Sequence, residues 1–240
     1  MRPSRRFYYA AAILFAIAAI AFMPLRWVVG VAVPEKSMVT ASGADGTIWS
    51  GRVYDVQLGQ LGIGTLDAGI QPLGLFLGRA GFWFEQSATA GLPGFRGTVS
   101  KGFGGVSAEG WNGSVPVAEI LPGFPAAHLE FDNLSASYSA GKCRTASGSV
   151  RLKPEGPLFA ALGVDAGLMG RVRCEAGELL LPFASASAME RVELRISADG
   201  RYRAAVQLQQ PSAEIAPMLS MAGFAPIAGG YRKSGKGRFW

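Results

Sequence analysis

Apolar and polar side chains alternate in short, glycine-separated runs from Ala44 to the C-terminus. The clearest case is a pair of runs on either side of Asp199 and Gly200. In the run 192–197, Val, Leu and Ile alternate with Glu, Arg and Ser, and in the run 202–208, Tyr, Ala, Val and Leu alternate with Arg, Ala and Gln. Alternation on both sides of Asp-Gly predicts a β-hairpin.

Weaker runs of the same kind predict further strands along the chain. Because each run has one apolar face, we expect an antiparallel sheet with one side packed and the other in water. The fold class is therefore mainly β. The predicted strands cover residues 49–58, 63–70, 81–85, 94–101, 106–111, 127–137, 148–153 and 170–174.

Three short segments interrupt the alternation and predict helical pieces. Residues 114–121 begin with a Ser and an early Pro, and residues 212–222 have Ser212 as a cap and Gly223 as a stop. Residues 72–77 predict a third turn. The apolar side chains of these pieces could cover the open side of a curved sheet, and no helix of ten or more residues separates the strands, which argues against a doubly wound α/β fold.

The N-terminal segment follows a different pattern. Residues 7–25 carry no charge, and Arg2, Arg5 and Arg6 precede them. As a helix, these 19 residues would be about 28 Å long, close to the roughly 30 Å hydrocarbon core of a bilayer. We therefore predict a transmembrane helix, with the N-terminus in the cytoplasm under the positive-inside rule.

A cleaved signal peptide is the alternative, since residues 19–21 form an Ala-Ile-Ala triplet. The apolar stretch is longer than the usual signal core, and Trp27 follows it where an interfacial aromatic would lie. The predicted division is a cytoplasmic stub, a transmembrane anchor, a juxtamembrane connector and a periplasmic β-rich domain, over residues 1–6, 7–25, 26–43 and 44–240.

Composition supports a β-rich exported domain. Charged residues make up 17% of the chain and glycine 33 of 240 residues, against typical values of about 25% and about 7%. The formal net charge is +6, but the cations are dispersed, so nucleic acid is not predicted as a partner. A C-terminal basic cluster is either a solvated strand or a contact for anionic headgroups or an acidic partner; it comprises Arg232, Lys233, Lys236 and Arg238.

The two cysteines, Cys143 and Cys174, each begin a phrase that reads as a strand, a small turn and another strand. In an oxidising compartment such a pair predicts a disulfide. Two buried free thiols are the alternative. A metal site is disfavoured because His128 is the only histidine and structural zinc takes four ligands.

The motifs of the common enzyme classes are missing from the sequence. It contains no Gly-x-Ser-x-Gly elbow and no phosphate-binding Gly-x-x-x-x-Gly-Lys-Ser/Thr loop. Glu130 and Asp132 would share one strand face, which is typical of a polar outer surface. We predict no catalytic, cofactor-binding or metal-binding residues.

A short motif near the start of the β-rich region is more informative. Gly46, Thr47, Trp49 and Gly51 form a Gly-Thr-Ile-Trp-Ser-Gly phrase soon after the apolar segment. With the Pro-Leu turn in residues 71–79, the strand and turn around 114–121, the Leu/Met-rich segment 215–221 and the final Gly230–Gly237 stretch, it resembles the family of type II secretion system protein N, also called general secretion pathway protein N.

This resemblance implies an accessory inner-membrane component of the machine that moves folded proteins from the periplasm across the outer membrane. Its partners would be other type II secretion subunits and the inner membrane. The family also looks similar to AsmA-type envelope proteins, which implies a strongly curved half-barrel sheet and, as an alternative function, lipid binding or outer-membrane assembly. Trp49 would contact either the core or a partner.

Overall fold

The protein is mainly β, with antiparallel strands and a few short helices. The structure is a computed structural model that describes residues 5–32, 39–58, 61–76, 78–88, 94–116, 128–153 and 167–238. The chain divides into two compact units, Met1–Gln86 and Ser87–Trp240. The predicted division at residues 6, 25 and 43 stays a prediction.

The first unit combines two N-terminal helices with a small sheet. Strand β3 is central to it, because it pairs with β1, β2 and β4, and β4 pairs in turn with β5. Leu25, Val53 and Val56 form its buried core. The elements are α1 (Arg5–Ala21), α2 (Leu25–Ala32), β1 (Val39–Thr40), β2 (Gly43–Thr47), β3 (Ser50–Leu58), β4 (Leu61–Ile70), α3 (Pro72–Phe76) and β5 (Arg79–Gln86).

The N-terminal apolar segment is shorter as a helix than predicted. Helix α1 ends at Ala21 and α2 begins at Leu25, so residues 7–25 do not form one helix. Pro24 lacks an amide hydrogen and cannot continue the ladder of α1, and it forms a β-bridge with Thr47 instead. Within the described residues, no helix has the length and apolarity needed to cross a bilayer.

The second unit is one antiparallel sheet in the order β6-β7-β8-β9-β10-β12-β13-β14-β16-β15, with β11 paired to β12. Its elements are β6 (Phe95–Gly102), β7 (Gly105–Pro116), β8 (His128–Ser139), β9 (Lys142–Lys153), β10 (Leu168–Arg171), β11 (Arg173–Glu175), β12 (Glu178–Ala184), β13 (Glu190–Ile196), β14 (Arg201–Gln209), a 3₁₀ turn (Ala213–Ile215), α4 (Ala216–Met221), β15 (Ala225–Ile227) and β16 (Gly230–Arg238).

The predicted Asp-Gly hairpin is confirmed as β13 and β14. Val192 lies opposite Val206, and Ile196 opposite Tyr202. The apolar positions of both strands point to one side, where they join the buried cluster of the second unit. Alternation thus placed the core face of this hairpin correctly.

The predicted helical segment 212–222 is a 3₁₀ turn followed by α4. Leu219 of α4 is fully buried in the cluster under the sheet. Gly223 ends the helix with φ of +79°, as predicted. Ser212 does not cap α4, however: Ile215 occupies the N-cap position, without a side-chain hydrogen bond.

Two other predicted elements differ from the structure. Residues 114–116 are the end of β7, where Val115 pairs with Leu129, and the rest of the predicted helix 114–121 lies outside the described residues. Long-range pairing therefore overrides the local Ser and Pro signals there. The predicted strand 170–174 is divided at Val172 into β10 and β11.

The expected half-barrel is wrong, because the sheet is neither closed nor strongly curled. The chain is rich in glycine, and several of these glycines lie in turns between strands. Gly141 and Gly177, with φ of +71° and +82°, lie in tight turns that reverse the chain between neighbouring strands. A glycine of this kind allows a tight turn between two strands and does not bend the strands themselves.

Candidate functional site

The Gly-Thr-Ile-Trp-Ser-Gly phrase forms the tight hairpin between β2 and β3. Gly46 pairs with Gly51, and Thr47 pairs with Ser50. A Cβ atom on Gly46 would lie 2.7 Å from the Cα of Gly51, and one on Gly51 would lie 2.3 Å from the carbonyl oxygen of Asp45. The two strands therefore approach too closely for side chains at either position.

The turn of this hairpin contacts the end of helix α1. The backbone amide of Ile48 donates to the carbonyl of Met23 at 3.0 Å, and the indole N–H of Trp49 donates to the carbonyl of Ala21 at 3.0 Å. The last carbonyls of a helix have no partner within the helix. Trp49 supplies one, so the half-buried tryptophan fastens α1 to the sheet of the first unit.

Strands β4 and β5 hold the same turn from the other side. The carbonyl of Trp49 accepts a hydrogen bond from the indole of Trp83 at 3.3 Å, and the amide of Ile70 donates to the carbonyl of Ile48 at 2.7 Å. Gly69 permits this contact, since a Cβ there would lie 2.1 Å from the Trp49 oxygen. Trp83 and Gly69 belong to no recognisable local motif, because both act through contacts with distant parts of the chain.

Helix α3 follows this point of the sheet directly and exposes apolar side chains. No residue of α3 is buried, and Leu73 and Phe76 are 78% and 88% exposed. Trp27 of α2, in the same unit, is also exposed. The predicted turn 72–77 is therefore an apolar protrusion and does not cover the sheet; residue 77 lies outside the described residues.

Cys143 and Cys174 are joined in a disulfide, with a Cα–Cα distance of 5.5 Å that is normal for such a bond. The bond links β9 to β11, and the amide of Cys143 donates to the carbonyl of Gly177 at 2.8 Å. Tyr138 lies opposite Cys143 in the sheet. Burial, with the nearby negative charge of Glu178, raises the pKa of Tyr138 to about 12.

A network of ion pairs lies beside the disulfide, on the polar side of β13 and β14. Arg195 contacts Glu175 at 2.7 Å and Arg203 contacts Glu178 at 2.5 Å. Hydrogen bonds from Arg195 and then Arg173 lower the pKa of Glu175. Arg195 and Glu175 are 20 residues apart in the sequence, and Arg203 and Glu178 are 25 apart, so no local pattern reveals these two pairs.

A cleft of about 660 Å³ in the second unit is lined by Arg195, Arg203 and Glu178 of this network. Hydrogen bonds from the Ser197 hydroxyl and from Arg203 lower the pKa of Glu178, while the hydrogen bond to Glu175 raises the pKa of Arg195. Arg232 and Lys236 of the predicted C-terminal basic cluster lie in the same cleft. The exposed members of that cluster are thus placed beside paired charges on the neighbouring strands.

The remaining titratable residues singled out from sequence lie on β8. Glu130 forms an ion pair with Lys153 at 2.5 Å, and Asp132 accepts a hydrogen bond from Ser149 at 3.3 Å. The Nδ1 atom of His128 is buried without a hydrogen-bond partner among the described residues. Among all the described residues, no group of three or more His, Cys, Asp or Glu side chains is arranged to bind a metal ion.

The chain matches a model of a known protein family. The family model described as type II secretion system (T2SS), protein N, matches residues 37–234. This range includes the hairpin between β2 and β3 that carries Trp49, which we call the tryptophan hairpin. It also includes the disulfide and most of the cleft lined by charged side chains. No curated protein and no solved structure matches the chain.

Proposed function

The chain belongs to the family of type II secretion system protein N, and we propose that it is an accessory inner-membrane component of that system. In this role it takes part in the export of folded proteins from the periplasm across the outer membrane, through protein–protein contacts of a periplasmic domain. It acts by binding other subunits and carries out no catalysis. The family match over residues 37–234 is the observation that carries the proposal.

The N-terminal helix supports a membrane location. Its large apolar side chains are exposed to an unusual degree; Phe15, for example, is 76% exposed. Exposed apolar surface of this kind is costly in water and favourable in lipid. Arg2, Arg5 and Arg6 at its N-terminal side favour a cytoplasmic N-terminus.

The disulfide supports a periplasmic domain. Bonds such as Cys143–Cys174 persist in oxidising compartments, which include the bacterial periplasm, and are rare in the cytosol. In this arrangement the contact between Trp49 and the end of α1 would fix the first unit at the membrane surface. The exposed apolar residues Trp27, Leu73 and Phe76 belong to that unit.

The alternative function, lipid binding in an AsmA-like groove, has lost its main support. It depended on a strongly curved sheet, and the observed sheet is open and not strongly curled. The cleft of about 660 Å³ is lined by charged side chains such as Arg195, Arg203 and Glu193. Such a lining does not suit acyl chains.

Deletion of the gene tests the secretion role. We expect reduced release of type II exoproteins into the medium, with their accumulation in the periplasm, and restoration by the full-length gene. A cytoplasmic enzyme assayed in the medium controls for lysis. An unchanged secretome under all growth conditions would contradict the proposal.

Fractionation and reporter fusion test the location separately. We expect the full-length chain to remain in the membrane pellet after alkaline carbonate washing, and alkaline phosphatase fused after Trp240 to be active. A chain that lacks residues 1–20, and so keeps Leu25 of the core of the first unit, serves as the control for membrane retention. A full-length chain released by carbonate, or an inactive phosphatase fusion that is stably produced, would overturn the location.

A further inference from the structure

One face of strand β16 carries a row of cations that form no ion pair with the described residues. Arg232, Ser234, Lys236 and Arg238 alternate along the strand and are all exposed. None of the three cations lies within 4 Å of a carboxylate of the described residues. Lys233, on the opposite face, donates to the carbonyl of Ala222 at the end of α4 and does not belong to the row.

The neighbouring strand β14 places more positive charge directly opposite this row. Lys236 pairs with Arg203, and Arg238 pairs with Arg201. Like charges at directly opposed positions of antiparallel strands destabilise the pairing. Arg203 and Arg201 already have carboxylates at 2.5 and 2.6 Å, in Glu178 and Asp199, so these carboxylates are not free to neutralise β16.

The adjoining cleft also carries more positive than negative side chains. Four cations line it, Arg195, Arg203, Arg232 and Lys236, against two carboxylates, Glu178 and Glu193. Both carboxylates are already engaged, Glu193 with Arg195 at 3.6 Å and Glu178 with Arg203. The cleft and the β16 row therefore form one continuous surface with uncompensated positive charge, which we call the β16 basic face.

We propose that the β16 basic face binds an extended acidic segment of a partner protein. Alternate residues of a strand lie about 6.8 Å apart, at about 3.4 Å per residue. An extended partner segment with carboxylates at alternate positions has the same repeat, so successive carboxylates would meet Arg232, the cleft at Ser234, Lys236 and Arg238 in turn. This inference deepens the proposed function, on which it rests, by naming the chemistry of one subunit contact.

A polypeptide suits this surface better than a lipid bilayer does. Part of the positive charge lies in a recessed cleft, which a narrow chain can enter and a planar membrane surface cannot. A membrane contact is therefore an outcome that the test must be able to detect.

The test measures binding of a labelled short peptide that alternates Asp with Ser to the full-length protein in detergent, by fluorescence anisotropy. The test variant combines Arg232→Gln, Lys236→Gln and Arg238→Gln. The control variant removes the same number of exposed strand cations elsewhere in the second unit, by Arg96→Gln, Lys101→Gln and Arg144→Gln. Both sets lie outside the described ion pairs, and unchanged thermal midpoints check that the fold is retained.

We expect the test variant to bind the peptide at least about tenfold more weakly, because each exposed ion pair contributes a factor of a few. The control variant should stay within about twofold of the wild type, and added salt should weaken wild-type binding. A peptide with the same composition but contiguous Asp residues should bind more weakly than the alternating one, since its carboxylates do not match the strand repeat.

Equal losses in the two variants would reduce the effect to net charge and overturn the proposal, as would unchanged binding in the test variant. So would binding to phosphatidylglycerol vesicles but not to the peptide, since a lipid surface would then be the occupant. Peptide binding lost in the test variant, with normal secretion after gene deletion, would leave the basic face established and the secretion role refuted. A secretion defect after gene deletion, with no peptide binding by the wild-type protein, would support the secretion role and overturn the proposal for the basic face.

Discussion

The close approach of β2 and β3 within the tryptophan hairpin can be tested by adding one methyl group. In Gly51→Ala the new Cβ would lie 2.3 Å from the carbonyl oxygen of Asp45 and 2.7 Å from the Cδ2 atom of Leu25. Normal contacts of this kind are about 3.5 Å or longer. Because the first obstacle is backbone, β2 must move away from β3.

The magnitude follows from two contributions. Overpacking of a close contact costs about 1–3 kcal/mol. Movement of the hairpin also lengthens the bonds from Ile48 and Trp49 to the end of α1, and a typical hydrogen bond contributes about 0.5–1.5 kcal/mol. With both hydrogen bonds affected, we therefore expect Gly51→Ala to lower the free energy of unfolding of the first unit by about 2–6 kcal/mol.

The assay is urea denaturation of the full-length protein in detergent, followed by tryptophan emission, together with hydrogen exchange at the Ile48 amide. Gly62→Ala is the matched control, since Gly62 lies in the adjacent strand β4 and nothing lies within 4 Å of its added Cβ. The control should change stability by no more than about 0.5 kcal/mol. Equal urea midpoints for the two variants, or unchanged exchange at Ile48 in Gly51→Ala, would refute the reasoning.

Three further variants test the second unit. Leu219→Ala should lower the free energy of unfolding by about 2–5 kcal/mol, because the Leu219 side chain is fully buried. The control Met221→Ala should have little effect, because Met221 is 82% exposed. Similar thermal midpoints for the two variants would contradict the expected difference. The double substitution Cys143→Ala and Cys174→Ala opens a loop with a sequence separation of 31 and should cost about 3–4 kcal/mol in urea titrations; a stability equal to the wild type would exclude a structural role for the bond. Glu178 has a pKa below its ordinary 4.5, so its stabilisation is present above that pH and is lost as pH falls through the lowered value. Glu178→Gln should therefore flatten the acid side of the stability–pH curve, and an unchanged slope would show that Glu178 contributes nothing to it.

Sequence reasoning succeeded where the determining interactions are local. The hairpin of β13 and β14 was predictable because the Asp-Gly turn and the alternation lie within twenty residues and agree with each other. The end of α4 at Gly223 is of the same kind. The family resemblance selected Gly46 and Gly51, and their close approach across the hairpin accounts for both.

Sequence reasoning failed where contacts between distant parts of the chain determine the structure. Val115 pairs with Leu129 in the sheet, and no local signal reveals that pairing. The hydrogen bond from Trp49 to Ala21 spans 28 residues, so the hairpin could be recognised as a motif without its role at the helix end being apparent. The β16 basic face likewise depends on which strand lies beside β16, and that order follows only from the folded sheet.

Strand β15 limits how copies of this protein can associate. It ends the sheet of the second unit with only three residues, all exposed, and the middle one is Pro226. A proline without an amide hydrogen, in so brief a terminal strand, offers almost no template for main-chain pairing with another molecule. Crowded copies would therefore gain little from main-chain pairing along β15, which covers β16 from Gly230 to Arg232.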